Sequence, residues 1–521
     1  MSTPRRRRSH SPCLQFVISI LALAAVALTT ACGSGSMSTP SSPVLSGNTQ
    51  VTLVLSGTAN DQLTEFDLGL QGISLTSQSG KMVSVLSALQ RTEFIHINGG
   101  IEPLVTVNIP QDVYTAATVT VAGAGFTCLD FTAPDTLDSS TFAYGQTPSA
   151  NVTVNLSAPI TITGDAMGLS LNLLVAQSAT YSACYDPNAI STYSITPTFN
   201  LAPMAFSSEP TSPENGKANG FNGQVSSIDA ANNSFTVALP MTENTRTVSI
   251  ASVSSTTYQG IDNFSALAVG TFVTVDGAIQ PNGSLVAMRI AVEDTTALQM
   301  MTGPLMQVSA GEPALVLWGR QQQGTGEDVG GGQYFSFGNA AFRISGQLAN
   351  LQNLPFTPAF SSSNMVPGQN VYVSASTLVT SGGFPYTPAS TVTLIAQTID
   401  GAVVASSNSG GFTTYTVDLA SYDLFPMLAV QPGQAALLTN PGEVEVYVDN
   451  NTQQLNSQPL APGSTLRFYG LVFNDNGTLR MDCAQVNDGV AETPQSNASQ
   501  QNLPEKGQAK AVRVRNFGRL R

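Results

Sequence analysis

A chain of 521 residues is too long for one hydrophobic core, and three or four domains is the natural division. Only 10% of its residues are charged, which argues against a body of amphipathic helices with charged outer faces and for short strands joined by turns. The net charge of −14 argues against a nucleic-acid partner for the main body, since phosphates would be repelled.

The chain begins with Arg5, Arg6, Arg7 and Arg8 and no nearby acid, followed by the apolar run LQFVISILALAAVAL from Leu14 to Leu28. A basic start, an apolar core of roughly 7–15 residues and a small-residue exit describe a secretory signal, here residues 1–31. The other reading is a retained membrane helix. A span takes about 20 apolar residues, and this run reaches that length only by counting its threonines. Under either reading the arginines hold the N-terminus on the cytoplasmic side and the rest of the chain crosses a membrane. The exit Thr29-Thr30-Ala31-Cys32 resembles a bacterial lipobox. That resemblance implies cleavage before Cys32, acylation of its sulfur and new amino group, and attachment to a membrane. Ordinary signal-peptidase cleavage is the alternative, because Thr29 and Ala31 are both small. Residues 32–48 then form a Gly/Ser-rich flexible tether.

Residues 49–203 read as one all-β domain, a β-sandwich. In LTEFDLGLQGISLTS, Phe66, Leu68 and Leu70 recur at period two, and Ile73 and Leu75 follow after Gly72. TQVTLVLSG, LVTVNIP, ATVTVAGAGFTCLDF, ANVTVNLS, ITITG and LSLNLLVAQSATYSACY continue the pattern, separated by Gly, Asn, Asp and Pro. GKMVSVLSAL, residues 80–89, is the stretch that fits a short helix. Cys128 and Cys184 fall in this domain and are candidate disulfide partners in an oxidising compartment, the alternative being two buried free thiols.

Residues 204–220 are a linker by composition, rich in Pro, Ser, Asn and Gly. Three β-barrel-like modules follow, at 221–297, 298–400 and 401–490, each expected to close on itself with five to seven short strands. LAVGTFVTVDGAIQPNGSLVAMRIAVED from Leu267 and LAPGSTLRFYGLVFNDNGTLRMDCAQVND from Leu460 carry the repeat. Each has a first glycine (Gly270, Gly463), a second seven residues on (Gly277, Gly470) and a hairpin Asn-Gly (Asn282-Gly283, Asn476-Gly477). MVPGQNVYVSA from Met365 is a looser third copy whose hairpin is expanded to include SGGFPYTP. Cys483 has no local partner and reads as a small packed side chain. The tail, 491–521, is polar and then basic, with Lys506, Lys510, Arg513, Arg515, Arg519 and Arg521 against Glu505. It reads as a solvated tail or as a contact for an anionic surface.

Two family resemblances rest on these stretches. VTLVLSG, FDLGLQGISLTS and LVTVNIPQDVYTAATVTVAGA make residues 49–203 similar to a bacterial lipoprotein domain, domain of unknown function 4382. GQVSSIDAANNSFTV, TTYQG and LAVGTFVTVDGAIQPNGSLVAMRI make residues 221–294 similar to domain of unknown function 5666, with the last two modules as divergent copies. The resemblances imply an exported, envelope-associated protein and transfer no catalytic residue.

Catalytic chemistry finds little support in the sequence. His10 and His96 are the only histidines, and His10 leaves with the signal. His96 alone cannot make a multi-histidine metal site, and with no G-x-S-x-G elbow it reads as a strand histidine rather than a general base. GTGEDVGGGQ, residues 324–333, lacks the lysine of a phosphate loop and reads as a hairpin tip. NDNG and DNN read as turn chemistry rather than calcium ligands. Trp318, near YFSF, reads as core rather than a sugar platform. The expectation is an exported, lipid-anchored cell-envelope protein with a noncatalytic binding or scaffolding role. Its partners would be the membrane, through Cys32, and an envelope glycan or protein, with no nucleic acid, metal or cofactor. Two alternatives stay open: a secreted glycan-active enzyme, which a clustered pair of buried carboxylates in a deep pocket would favour, and a surface component that self-assembles through sheet edges.

Overall fold

The computed structural model describes residues 45–488, except 59–62, 96, 98–100, 131–137, 143–148, 182–192, 205–216, 240–245, 281–283, 295–298, 309–313, 319, 324–325, 329–331, 346–352, 376–378, 382–383, 421–422, 430–436 and 455. The protein is all-β: two facing sheets at the N-terminal side, then three five-stranded barrels in series.

The first sheet has four strands in the order Phe199–Met204, Ala166–Leu174, Asn48–Thr58, Glu102–Pro110. Asn48–Thr58 runs parallel to Ala166–Leu174 and antiparallel to Glu102–Pro110. The second sheet is built on the long pair Leu63–Ser77 and Asp112–Asp130. Alternation puts Leu53, Leu55 and Leu171 of one sheet and Phe66, Leu68, Leu70 and Val119 of the other into a single core, which makes this a sandwich. Phe66 stacks on Phe126 across the long pair. Where the chain passes from Pro110 into the second sheet, the Tyr114 hydroxyl donates to the Pro110 carbonyl at 2.8 Å and pins the turn.

Two local expectations are corrected here. The short helix expected at GKMVSVLSAL is the strand Met82–Leu86, paired with Leu63–Ser77; β-branched Val83 and Val85 favour extended backbone. The apolar run through SATYSACY is not one strand either. After Leu174 the chain makes one helical turn, Val175–Ser178, held by Ser178 Oγ donating to the Leu174 carbonyl, before Ala179–Tyr181 extends again.

Barrel I consists of Lys217–Asp229, Ser234–Leu239, Arg246–Gln259, Phe272–Ile279 and Leu285–Asp294. It closes in the order 1-2-3-5-4-1, with strands three and five parallel. Barrel II repeats this with Gln299–Val308, Ala314–Trp318, Gly332–Ser336, Asn370–Ala375 and Phe384–Leu394. Barrel III repeats it again with Gln397–Ser409, Phe412–Leu419, Glu443–Val448, Thr465–Asp475 and Thr478–Asp488. Closure leaves these five-strand rings without an open edge. Two boundaries differ from the sequence reading: Lys217–Gly220 of the linker already belong to barrel I, and a division at 400/401 would cut the first strand of barrel III.

The repeated glycines have two separate jobs. Gly270, Gly368 and Gly463 all have φ between 90° and 96°, a left-handed conformation that disfavours side chains. Each donates its N–H at 2.8 Å to the first strand of its barrel, at the carbonyls of Val225, Leu305 and Val403. Gly277 and Gly470 instead sit at a bulge between strands four and five, and Ala375 holds that place in barrel II. The Asn476-Gly477 turn has φ of 54° and 93°, as a type I′ hairpin requires. Asn282-Gly283 lies outside the described residues, while SGGFPYTP contains the expected hairpin, Val379–Ser381 paired with Phe384–Leu394.

The barrels are packed together through polar as well as apolar contacts. Arg289 of barrel I, 9% exposed, binds Asp276 at 2.8 Å and Ser345 of barrel II at 3.0 Å. Arg343 of barrel II donates to the Val292 carbonyl at 2.7 Å. Leu471 and Phe473 of barrel III enter the core of barrel II, and Gln369 donates to the Val472 carbonyl at 3.0 Å. Val54 of the sandwich packs into the core of barrel I.

Candidate functional site

In each barrel the third strand leaves its parallel ladder for four or five residues and then rejoins it: 253–256, 337–340 and 448–452. In barrel I, Ser252 pairs with Ala287 and Thr257 with Arg289, so four residues loop out opposite Met288 alone. Thr256 holds the loop: its Oγ1 accepts from Val253 N at 2.9 Å and donates to the Ala287 carbonyl at 2.7 Å. Barrel III has the same device. Thr452 Oγ1 accepts from Asp449 N at 3.1 Å and donates to the Cys483 carbonyl at 2.7 Å. There the Asp449 carboxylate also accepts from Asn451 N and Thr452 N, which is the turn chemistry expected of DNN. In barrel II the excursion brings in Phe337, buried and stacked on Phe335.

Barrel I leaves open space beside its excursion. A cleft of about 610 Å³ lies between the loop, the Ala230–Asn233 turn and the 3₁₀ turn Phe264–Ala266. Ile228, Ala230, Val253, Phe264 and Leu267 supply its apolar surface, while the polar lining is wholly hydroxyl and amide, without a charged side chain. Ser252 and Tyr258 share a short hydroxyl–hydroxyl hydrogen bond. Asn263 Oδ1 accepts from both the N–H and the hydroxyl of Ser265, fixing the 3₁₀ turn. Phe264 is half-buried and rests against the buried ring of Phe235 at 6.2 Å. Val253, on the excursion, is 38% exposed, and Val269, two residues past Leu267, is 62% exposed. Nearby, Asp229 remains ionised to unusually low pH, because the Asn232 side chain and backbone donate to its carboxylate.

A buried carboxylate pair does exist, away from this cleft. Asp400 and Asp423 of barrel III are 1% and 2% exposed, with Arg467 3.7 Å from Asp400. The Asp423 oxygens accept from Phe425 N and Asp400 N, and burial, then the Asp400 charge, pushes its carboxyl up to about 7. Both oxygens of Asp423 are thus engaged in tying the helix Leu424–Ala429 to the first strand. Among the described residues, no group of three His, Cys, Asp or Glu side chains could hold a metal ion.

The sequence-predicted sites fare unevenly. Cys32, His96 and Cys184 lie outside the described residues. Cys128 is placed by its backbone opposite Leu63 and Ser140. Trp318 is in the second strand of barrel II, opposite Gly332. Within GTGEDVGGGQ, Gly326–Asp328 forms a hairpin with Arg320–Gln323. Cys483 is a buried free thiol, and burial raises its pKa far above the ordinary thiol value. Sequence reasoning missed the cleft, because SIASVSSTTYQ has no glycine or proline to break the strand. The available signal was the threonine closing both VSST and DNNT.

A search of curated proteins finds none that matches this chain. Residues 222–291, which contain every residue lining the cleft, match the family described as Domain of unknown function (DUF5666).

Proposed function

We propose that this chain is an exported cell-envelope protein, lipid-anchored through Cys32, whose β-domains bind or scaffold without catalysing a reaction. The observation that carries the binding role is an open cleft on a closed barrel, its polar lining made of neutral hydroxyls and amides. General acid–base chemistry needs titratable groups at the reacting atoms, and this lining has no His, Asp, Glu, Lys or Cys, its one titratable group being the Tyr258 phenol bonded to Ser252. The anchoring role rests on the arginine-led apolar segment ending in Thr29-Thr30-Ala31-Cys32, with a Gly/Ser-rich tether behind it. The N-terminal sandwich is read as a member of domain of unknown function 4382, on its opening VTLVLSG and on the turn from Pro110 to Tyr114.

The test is fatty-acid labelling of wild type and Cys32→Ala in cells, followed by fractionation. Label in the membrane fraction of wild type, lost with release of Cys32→Ala, supports anchoring. Soluble, unlabelled wild type outside the cell refutes it.

A further inference from the structure

We infer that the barrel I cleft binds a neutral oligosaccharide. This rests on the binding role proposed above and names its ligand class and place.

Four observations converge on it. First, the lining is made of hydroxyls and carboxamides, groups that both donate and accept and so match sugar hydroxyls. Second, Phe264 presents a half-buried ring backed by Phe235, and a flat apolar surface of that kind suits the C–H face of a pyranose. Third, the charges nearby are acidic: Asp229 and Asp262 lie within one residue of the lining positions Ala230 and Asn263, and the chain carries −14 overall. An anionic glycan or a phosphate would meet repulsion there. Fourth, Val253 and Val269 are two of the five large hydrophobic side chains most exposed among the described residues, and they lie on the loops that border this cleft. A bound ligand would cover such side chains.

A peptide fits less well. A peptide that binds by adding a strand needs a free sheet edge, and barrel I, being closed, offers none. The fold also makes the site particular to barrel I. The matching excursion in barrel II carries the buried Phe337, and that in barrel III carries Asp449.

The experiment titrates the full chain with neutral hexose and N-acetylhexosamine oligomers, and with uronic-acid oligomers of similar length, by calorimetry. Wild type is compared with Ser254→Trp, which places a bulky ring on an exposed position of the excursion, and with Tyr258→Phe. Wild type should bind at least one neutral oligomer, the uronic-acid oligomers about tenfold or more weaker, and Ser254→Trp about tenfold or more weaker than wild type. Circular dichroism checks that each variant is folded, and Tyr258→Phe, which keeps the ring, should weaken binding should Ser254→Trp fail to fold. Neutral binding that survives in Ser254→Trp and Tyr258→Phe overturns the cleft assignment but leaves a binding role standing. A preference for uronic-acid oligomers, or no binding to any neutral oligomer, overturns the ligand class. Fatty-acid labelling of Cys32 reads the anchoring role independently of all these outcomes.

Discussion

The two threonines that close the strand-three excursions invite a paired test. Thr256 and Thr452 are 7% and 6% exposed, and each serves one backbone donor and one backbone acceptor through a single hydroxyl. Valine has nearly the same shape and no hydroxyl, so Thr256→Val leaves Val253 N–H and the Ala287 carbonyl without that partner. Orphaning a buried backbone group costs about 1–3 kcal/mol. Taking roughly 2 kcal/mol as the local loss, opening of the excursion should become about 30-fold more frequent. Amide hydrogen exchange of the full chain, read on peptides covering residues 249–258 and 446–454, measures this directly. The two barrels should not respond equally. In barrel III the Asp449 carboxylate independently holds Asn451 N and Thr452 N, so Thr452→Val should accelerate exchange less than Thr256→Val does. Unchanged exchange at 249–258 in Thr256→Val would refute the reasoning, as would a larger effect in Thr452→Val.

Three further predictions follow from the same geometry. A Cβ at Gly401 would stand 2.4 Å from the Asp418 carbonyl oxygen and 2.6 Å from Val417 Cγ1, so Gly401→Ala should destabilise barrel III by about 1–3 kcal/mol, read as faster exchange in residues 397–419. Arg289→Met strips a buried carboxylate, Asp276, of its guanidinium and should cost about 3–5 kcal/mol at the barrel I–II contact. In that case Asp276→Leu combined with Arg289→Met should recover part of the loss in thermal unfolding. Asp423 is raised in the folded state, so folding favours its protonated form. Its stabilising contribution is full below the ordinary carboxylate pKa and is lost as pH rises toward about 7. Exchange in residues 423–429, corrected for intrinsic rates, should therefore quicken between pH 5 and pH 8 in wild type, with a shallower slope in Asp423→Asn.

How much of this was legible in the sequence depends on which residue types carry the information. The sandwich strands could be read because Phe66, Leu68 and Leu70 alternate inward and Pro and Gly punctuate the runs. The first glycine of each barrel could be read because a positive φ narrows the choice of residue, and all three barrels kept glycine there. The cleft could not be read in the same way. SIASVSSTTYQ carries no glycine or proline to mark the excursion at 253–256, and its one signal is the threonine shared by VSST and DNNT. The buried pair Asp400 and Asp423 was also hidden. They are 23 residues apart and meet only because the helix Leu424–Ala429 folds back over the first strand.

The comparison among the barrels also indicates where function can vary without loss of fold. Closure rests on three backbone features that recur in all of them: the left-handed glycine bonded to strand one, the bulge between strands four and five, and the parallel contact of strands three and five. None of these uses the side chains of the excursion, apart from the threonine that fastens it in barrels I and III. The excursion is therefore a place where sequence can change at small cost to the barrel. One copy fills it with phenylalanine, one with an aspartate-capped turn, and one lines an open cleft with serine and threonine. A site that carries specificity belongs on such a segment, held at both ends by paired strands and free in between.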